Sequence, residues 1–441
     1  MVANMAHIVV IGSGIGGLPT AYELRHLLPS YHRITVVTDS PKFTFIPSLP
    51  WVAMGLTPLS QIQLNVKPPL ARLGIELVIG QVGAIDPEKQ EITVGNSRIN
   101  YDLVVIATGA ELALDAVPGL GPEAGYTQSV CNPHHAEIAH QAWEQFLQNP
   151  GQIVVGAVPG ASCFGPMYEF ALLADFVLRR RGLRDQVKIT LVTPEPYGGH
   201  LGIGGMANAP ELIHQLLANR EINAIENAAI DQITPHSIHL ASGETLPFNY
   251  AMLLPPFRGS SFVRKAGLGD AKGFLPVLPT CQHPDFTSIY AVGVVVELNP
   301  TCTTSIPIGV PKTGQMTEAM GMAVAHNIAH QLGEISAPVV APTLEAICLA
   351  DFGDSGIAFI AAPVLPDESG NRRKAVALSG RWVSWSKIAF EKFFLAKMRW
   401  GLSVPWFERW GLKALGLSLV EPISQPLSPV VVPRTSPPVV K

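Results

Sequence analysis

The chain has 441 residues, 47% hydrophobic and only 15% charged, with a net charge of −4; that is material for two or three domains with large cores, and the acidic balance excludes a basic nucleic-acid-binding surface. Mean hydropathy of +0.27 is high for a water-soluble enzyme and points to membrane contact or to burial in a homo-oligomer. No charge-free apolar run reaches the roughly 18 residues of a spanning helix, so any membrane contact is expected to be peripheral or monotopic.

A first strand beginning at His7 leaves no room for a cleaved secretory signal, and cytoplasmic residence is expected. That compartment reduces disulfides, so the five cysteines point to redox or catalytic use. No metal site is expected.

Residues 7–39 read strand, glycine turn, helix, strand: HIVVIGSGIGGLPTAYELRHLL, then ITVVTDS. Gly12, Gly14 and Gly17 match GxGxxG, in which glycines permit a tight turn and close approach to a pyrophosphate on the helix N-terminus. Thr38 and Asp39 close the second strand about twenty residues on, where a ribose partner belongs. YDLVVIATGA (101–110) is a short strand ending in a turn, where Thr108 and Gly109 suit packing against a cofactor. Cys131 precedes Asn132, a cap, and Pro133, a suitable first residue for the helix PHHAEIAHQAWEQF.

A second strand-turn-helix spans 152–181, followed by the strand KITLVTPEP. Its turn is degraded: Gly156 remains, but Val158 and Ala161 stand where the second and third glycines would be. The β-branched Val158 is expected to obstruct a pyrophosphate, which leaves a structural remnant of a nicotinamide site. Cys163 lies just before Gly165-Pro166, at a helix N-terminus whose dipole favours the thiolate; Cys131 has the same setting. SIYAVGV (288–294), with Gly293, returns the chain to the first unit, where the two short strands close over a flavin.

These elements predict an α/β fold of tandem Rossmann-like domains. Residues 1–115 with 265–330 form a discontinuous dinucleotide domain, 116–264 a second, 331–420 a C-terminal segment, and 421–441 a tail expected to be disordered. In that segment Trp382, Trp385, Ala389, Phe393, Ala396 and Trp400 recur at helical spacing, and Trp406, Trp410, Ala414 and Leu417 repeat the pattern after Pro405. Lys387, Lys392, Lys397, Arg399, Arg409 and Lys413 outnumber Glu391 and Glu408, as at an anionic membrane interface. The competing reading is a core-packing or oligomer-forming helix pair.

With these pieces in place the chain resembles the sulfide:quinone oxidoreductases, through QSVCNPHHAE, GASCFGPMYE, EPYGGHLGIGG, PKTGQMTEAM, AICLADFGDSG and RWVSWSKIAFEKFF. The resemblance implies FAD, sulfide as reductant, a membrane quinone as oxidant and polysulfide or sulfur as product; with the expected cytoplasmic residence, the membrane contact is expected on the cytoplasmic side. Cys163 and Cys348 would be the pair, joined by a disulfide or sulfur bridge, that hydrosulfide opens by exchange, with Cys131 a helper for the sulfane chain. Cys281 and Cys302 read as small buried hydrophobes.

His135 and His200 lie in matching segments and are either sulfide-side proton carriers or ordinary hydrogen-bonding residues. Glu169 is either a base or an acidic residue favouring the helix start. Lys312, followed by Thr313 at the next helix, would place a cation by the flavin's pyrimidine edge. Val294 stands where the wider superfamily usually has aspartate. Lys387 and Phe390, three apart on one helix, would line the quinone pocket. Three other readings remain: a sulfide dehydrogenase flavoprotein donating to a cytochrome, a type II NADH:quinone oxidoreductase, and a non-catalytic flavin-binding sensor.

Overall fold

The computed structural model describes residues 5–367 and 369–423. Runs such as IVVI and LVVI have no polar alternation, the pattern of strands covered on both faces, and they build a parallel sheet. Its strands are β1 (His7–Ile11), β2 (Arg33–Thr38), β3 (Glu76–Ile79), β4 (Leu103–Ile106) and β9 (Ile289–Ala291), in the order β9-β4-β1-β2-β3. Val9 stands level with Thr35 and Val104, and Tyr290 with Val105. Between β4 and β9 the chain makes a second parallel sheet, ordered β7-β6-β5-β8, from β5 (Ile153–Ala157), β6 (Ile189–Val192), β7 (Ile222–Ile225) and β8 (Tyr250–Leu254).

Helix α1 (Gly17–Leu27) follows β1, α2 (Pro133–Gln148) precedes the second sheet, and α3 (Gly165–Arg181) follows β5. Helix α4 (Gly314–Gln331) packs on α1; a side chain at Gly321 would run into Thr20, so the small residue sets how closely the helices approach. Strand β10 (Val340–Pro342) leads to an antiparallel sheet of β11 (Ala346–Asp351), β12 (Gly356–Ala362) and β13 (Lys374–Ser379). Then come α5 (Arg381–Trp400), α6 (Trp406–Ala414) and β14 (Val420–Pro422). Because β14 pairs with β10, Glu421 and Pro422 are ordered by a backbone ladder and do not belong to the expected tail; residues 424–441 lie outside the described residues.

Helix α5 has an inverted polarity. Its inner face buries Lys387, Glu391 and Lys397 beside Val383, Phe394 and Met398, while Trp382, Trp385 and Trp400 face outward. Each buried charge has a partner: Lys387 pairs with Glu169, Glu391 accepts from Ser48 (2.6 Å), and Lys397 reaches Glu318 (2.6 Å) and Glu408 (2.9 Å). Unpaired, such groups would cost several kcal/mol each. Helix α6 buries no residue, and Trp385, Trp406 and Trp410 are 72, 79 and 69% exposed. The tryptophan stripe is therefore an open face. The count of basic residues needs correction, because Lys387 and Lys397 are buried in ion pairs and Arg409 is held by Glu23 at 3.0 Å. No described helix is long and apolar enough to cross a membrane.

Candidate functional site

The first glycine turn is shaped for a phosphate-bearing ligand. Gly12 has φ +107°, and a Cβ there would strike the Ala107 carbonyl; one on Gly17 would strike the Gly12 carbonyl. A Cβ on Gly14 would meet nothing within 4 Å, so the turn opens at that point. No side chain caps the N-terminus of α1 and no acidic residue occupies its first turn, so nothing there opposes an anion at the positive end of the helix, although Leu18 N–H already donates to the Gly14 carbonyl (3.1 Å) and Pro19 has none to offer. Thr38 is buried and hydrogen-bonded to Ser13 (2.9 Å), whereas Asp39 is exposed at the end of β2. Thr108 faces Ser260 (3.4 Å), and Gly109 adopts φ +69°.

Thr313 caps α4 by accepting from the Met316 N–H (3.3 Å). Gly293 (φ +83°) starts a short turn whose Val294 carbonyl accepts from Lys312 Nζ at 3.2 Å. The Lys312 ammonium also lies 4.3 Å from the centre of the Phe274 ring, and burial lowers its pKa to about 8. Val294 thus brings no carboxylate to this point, and its main-chain carbonyl is taken by Lys312. The start of α4 joins the glycine turn to the C-terminal sheet: Gly314 faces Ile15, and Gln315 Oε1 accepts from the Ile347 N–H (2.8 Å), next to Cys348.

Three thiols meet here. Cys131 precedes α2, whose Asn132 cap accepts from the His135 N–H at 2.8 Å as read from the sequence. Cys163 sits two residues before α3 and receives a hydrogen bond from the Gly165 N–H. Cys348 lies within β11, opposite Phe359. The Cys163 sulfur is close enough to both others to feel their charge. All three are free thiols, unbridged in this structure.

The expected thiolate is corrected. Burial, then the charges of Cys348 and Cys131, push the Cys163 thiol up to about 12 against the single Gly165 hydrogen bond; burial likewise raises Cys131 and Cys348 to about 11. Each residue keeps some exposed surface, but packed atoms enclose its sulfur, and desolvation outweighs one helix terminus. Cys281 is a buried packing residue as expected; Cys302 is exposed, contrary to that reading.

Behind the thiols, Glu169 on α3 accepts from Lys387 Nζ of α5 and from the Asp351 N–H of β11 (3.4 Å). Burial raises its pKa to about 7, with Lys387 opposing the shift. Lys387 lies 4.9 Å from the Trp51 ring centre, and the Trp51 indole N–H is buried without a partner. Phe390, 42% exposed on the same helix, is 6.0 Å from Phe45 and 5.9 Å from Phe394. Trp51 and Asp351 were missed in the sequence, although Asp351 stands inside the AICLADFGD stretch.

His135 is buried and its Nε2 lies 2.8 Å from Glu123. His200 is buried beside Tyr197, and burial, then Arg372, lowers its pKa, which favours the neutral ring. The second nucleotide turn is closed for a reason other than the one expected. The Val158 side chain is fully buried in a cluster with Val117, Ile233 and Leu253, so it obstructs nothing. Instead, the Gly160 N–H donates to the Pro307 carbonyl (2.6 Å) and the Ala161 carbonyl accepts from Gly309 (2.9 Å). Residues 307–309 thus lie bonded across the second turn, and the Pro307 carbonyl takes the Gly160 N–H that could have donated to a pyrophosphate.

Residues 6–323 match the family described as Pyridine nucleotide-disulphide oxidoreductase, and the chain belongs to it. It is a flavoprotein oxidoreductase. Within that class it is a member of the sulfide-quinone reductases: it is 40% identical to the sulfide-quinone reductase of Aquifex aeolicus over 91% of this chain and 93% of that one. The X-ray structure of the sulfide:quinone oxidoreductase from that bacterium superposes with a TM-score of 0.91, at 38% identity, covering 95% and 98% of the two chains. The mitochondrial sulfide:quinone oxidoreductase of Dictyostelium discoideum is 25% identical over 79% of this chain and 78% of its own.

Proposed function

We propose that the protein oxidises sulfide to polysulfide or sulfur and reduces a membrane quinone, with FAD as its flavin. The observation that carries this reading is that Cys163 lies close enough to both Cys131 and Cys348 to feel their charge, while Ile347, next to Cys348, is bonded to the first turn of α4, whose Gly314 faces the glycine turn. FAD would be held by Gly12, Gly14, Gly17, Thr38, Asp39, Thr108, Gly109, Gly293, Lys312 and Thr313. When bound, it supplies a two-electron acceptor on the sulfur side and a two-electron donor on the quinone side.

Cys163 and Cys348, once oxidised to a bridge, present a sulfur–sulfur bond to hydrosulfide. Attack forms a new bond to one sulfur as a persulfide and releases the other as a thiolate, without net oxidation. Passing the persulfide's outer sulfur to Cys131, the acceptor of the growing chain, leaves Cys163 and Cys348 as a dithiol; the electron pair leaves for the quinone, by way of the flavin when bound, as that dithiol re-forms its bridge, so the cycle balances as HS⁻ + H⁺ + quinone → S⁰ + quinol. Glu169, titrating near neutrality, holds or releases a proton between the thiols and Lys387. Lys387, Phe390 and Trp51 line the quinone side. His135, held by Glu123 through Nε2, and the neutral ring of His200, packed on Tyr197, would serve the handling of sulfide.

The open tryptophan face of α5 and α6 rests on the cytoplasmic side of a membrane, where the quinone enters. Cys163→Ala and Cys348→Ala should each abolish sulfide-dependent quinone reduction. Near-normal turnover in either variant would overturn the assignment.

A further inference from the structure

Cys163 and Cys348 belong to different parts of the fold, and something must fix the distance between them. Helix α3 runs back from Cys163, and the β11–β12 hairpin turns five residues beyond Cys348. The two elements meet at three places. Asp351 N–H reaches Glu169 (3.4 Å), and Gly353, with φ +82°, packs so tightly on the Phe176 ring that a Cβ would clash with it. At the hairpin tip, Asp354 accepts from Arg179 of α3 (2.8 Å) and from Arg220 (2.6 Å).

Those arginines are themselves fixed. Asp175, 1% exposed on α3, accepts from Arg179 (2.8 Å), Arg184 (2.8 Å) and Arg220 (2.7 Å). Arg184 is tied in turn to the carbonyls of Val187 and Arg220, each at 2.7 Å. Arg179 and Arg220 thus each bridge the two carboxylates, giving one N–H to Asp175 and a neighbouring N–H of the same planar guanidinium to Asp354, at directions fixed by that plane. Burial works against the Asp354 carboxylate, but Arg220 and Arg179 hold its pKa below the usual range.

We propose that Asp354, clamped by Arg179 and Arg220 on the Asp175 platform, is a positioning residue that sets the approach of Cys348 to Cys163. It rests on the reading of those two thiols as the sulfur-exchanging pair. Among the described residues Asp354 bonds to Arg179 and Arg220 and to none of Lys387, Phe390 and Trp51, so its loss is expected to slow the reductive half of the cycle and to spare the oxidative half. A misplacement of about 1 Å between reacting groups can cost on the order of a hundredfold in rate.

The test uses the full-length flavin-loaded enzyme in anaerobic stopped flow, with Asp354→Ala, Asp354→Glu and, as a surface control, Arg181→Ala. Flavin bleaching by sulfide is read first; reoxidation of dithionite-reduced enzyme by decylubiquinone is read separately. Asp354→Ala should bleach about tenfold more slowly or worse, reoxidise at the wild-type rate, and be partly rescued in Asp354→Glu. A second readout is the equilibrium of Cys163 and Cys348 with glutathione disulfide, in which one disulfide forms and two glutathione thiols are released. Asp354→Ala should shift it at least tenfold toward the dithiol.

Wild-type bleaching in Asp354→Ala together with an unshifted thiol equilibrium overturns the clamp. Equal slowing of both half-reactions overturns it too, since that is what general destabilisation would produce. If Asp354→Ala does not fold, Asp354→Glu decides: intermediate bleaching with normal reoxidation supports the proposal, and slowing of both refutes it. Failure of the wild-type enzyme to bleach with sulfide would instead overturn the functional reading.

Discussion

The protonation state of Cys163 decides how the reaction begins. With its thiol pushed up to about 12, only about one molecule in 10⁴ carries the thiolate at pH 8, against about one in ten for a thiol at the ordinary value of 9.0. The reduced enzyme should therefore react with iodoacetamide at Cys163 at a rate that climbs about tenfold per pH unit from pH 6 to pH 10 without levelling off. Mass-spectrometric labelling after anaerobic quenching measures this residue by residue. The slope is the readout, because restricted access lowers the rate equally at every pH. A plateau with its midpoint below pH 8 would show that the helix N-terminus and the Gly165 N–H outweigh burial, and the reasoning would fail.

Four further outcomes follow from the same geometry. Glu169 binds its proton more tightly folded than unfolded, so its contribution to stability is complete below the unfolded value of 4.5 and is lost as pH rises through about 7. The window is worth roughly 3 kcal/mol, and the stability of Glu169→Gln/Lys387→Met relative to wild type should rise by that order between pH 4.5 and 8 in urea titrations; a flat difference contradicts it. Gly14→Ala should fold with unchanged secondary structure yet lose flavin, since its Cβ meets open space in the protein, while full flavin retention would argue against this turn as the cradle. NADH should not bleach the flavin, because residues 307–309 occupy the second turn; bleaching by NADH as fast as by sulfide would refute that. Trp406→Ser and Trp410→Ser should each weaken flotation with anionic vesicles about tenfold, the effect of withdrawing some 60 Å² of apolar surface, and unaltered binding would show that this face does not meet lipid.

Local signals carried well into the structure. The all-apolar strands, the GxGxxG turn, the Asn132 cap with Pro133 and the tryptophan stripe all depend on neighbours a few residues away. What stayed hidden depends on long-range partners. Lys387 and Lys397 share a helix with exposed Lys392 and Arg399, and nothing local marks the first two as buried; their carboxylate partners lie on α3, α4 and α6. The 307–309 segment has no periodicity, yet it closes the second nucleotide turn. Val158 was recognised as a departure from the glycine pattern, but the direction of its side chain was not legible. The thiolate expectation failed because a helix terminus can be read from sequence and desolvation cannot. Nothing local shows that Arg179, Arg184 and Arg220 converge on Asp175, because Arg220 comes to it from far along the chain.

The central claim is tested most directly by anaerobic titration of the purified, flavin-loaded protein with sulfide, followed by a quinone analogue, while the flavin absorbance is recorded. The account predicts bleaching by about one equivalent of sulfide per flavin and full recovery on adding the quinone, with NADH inert throughout. Bleaching by NADH with no response to sulfide would contradict it.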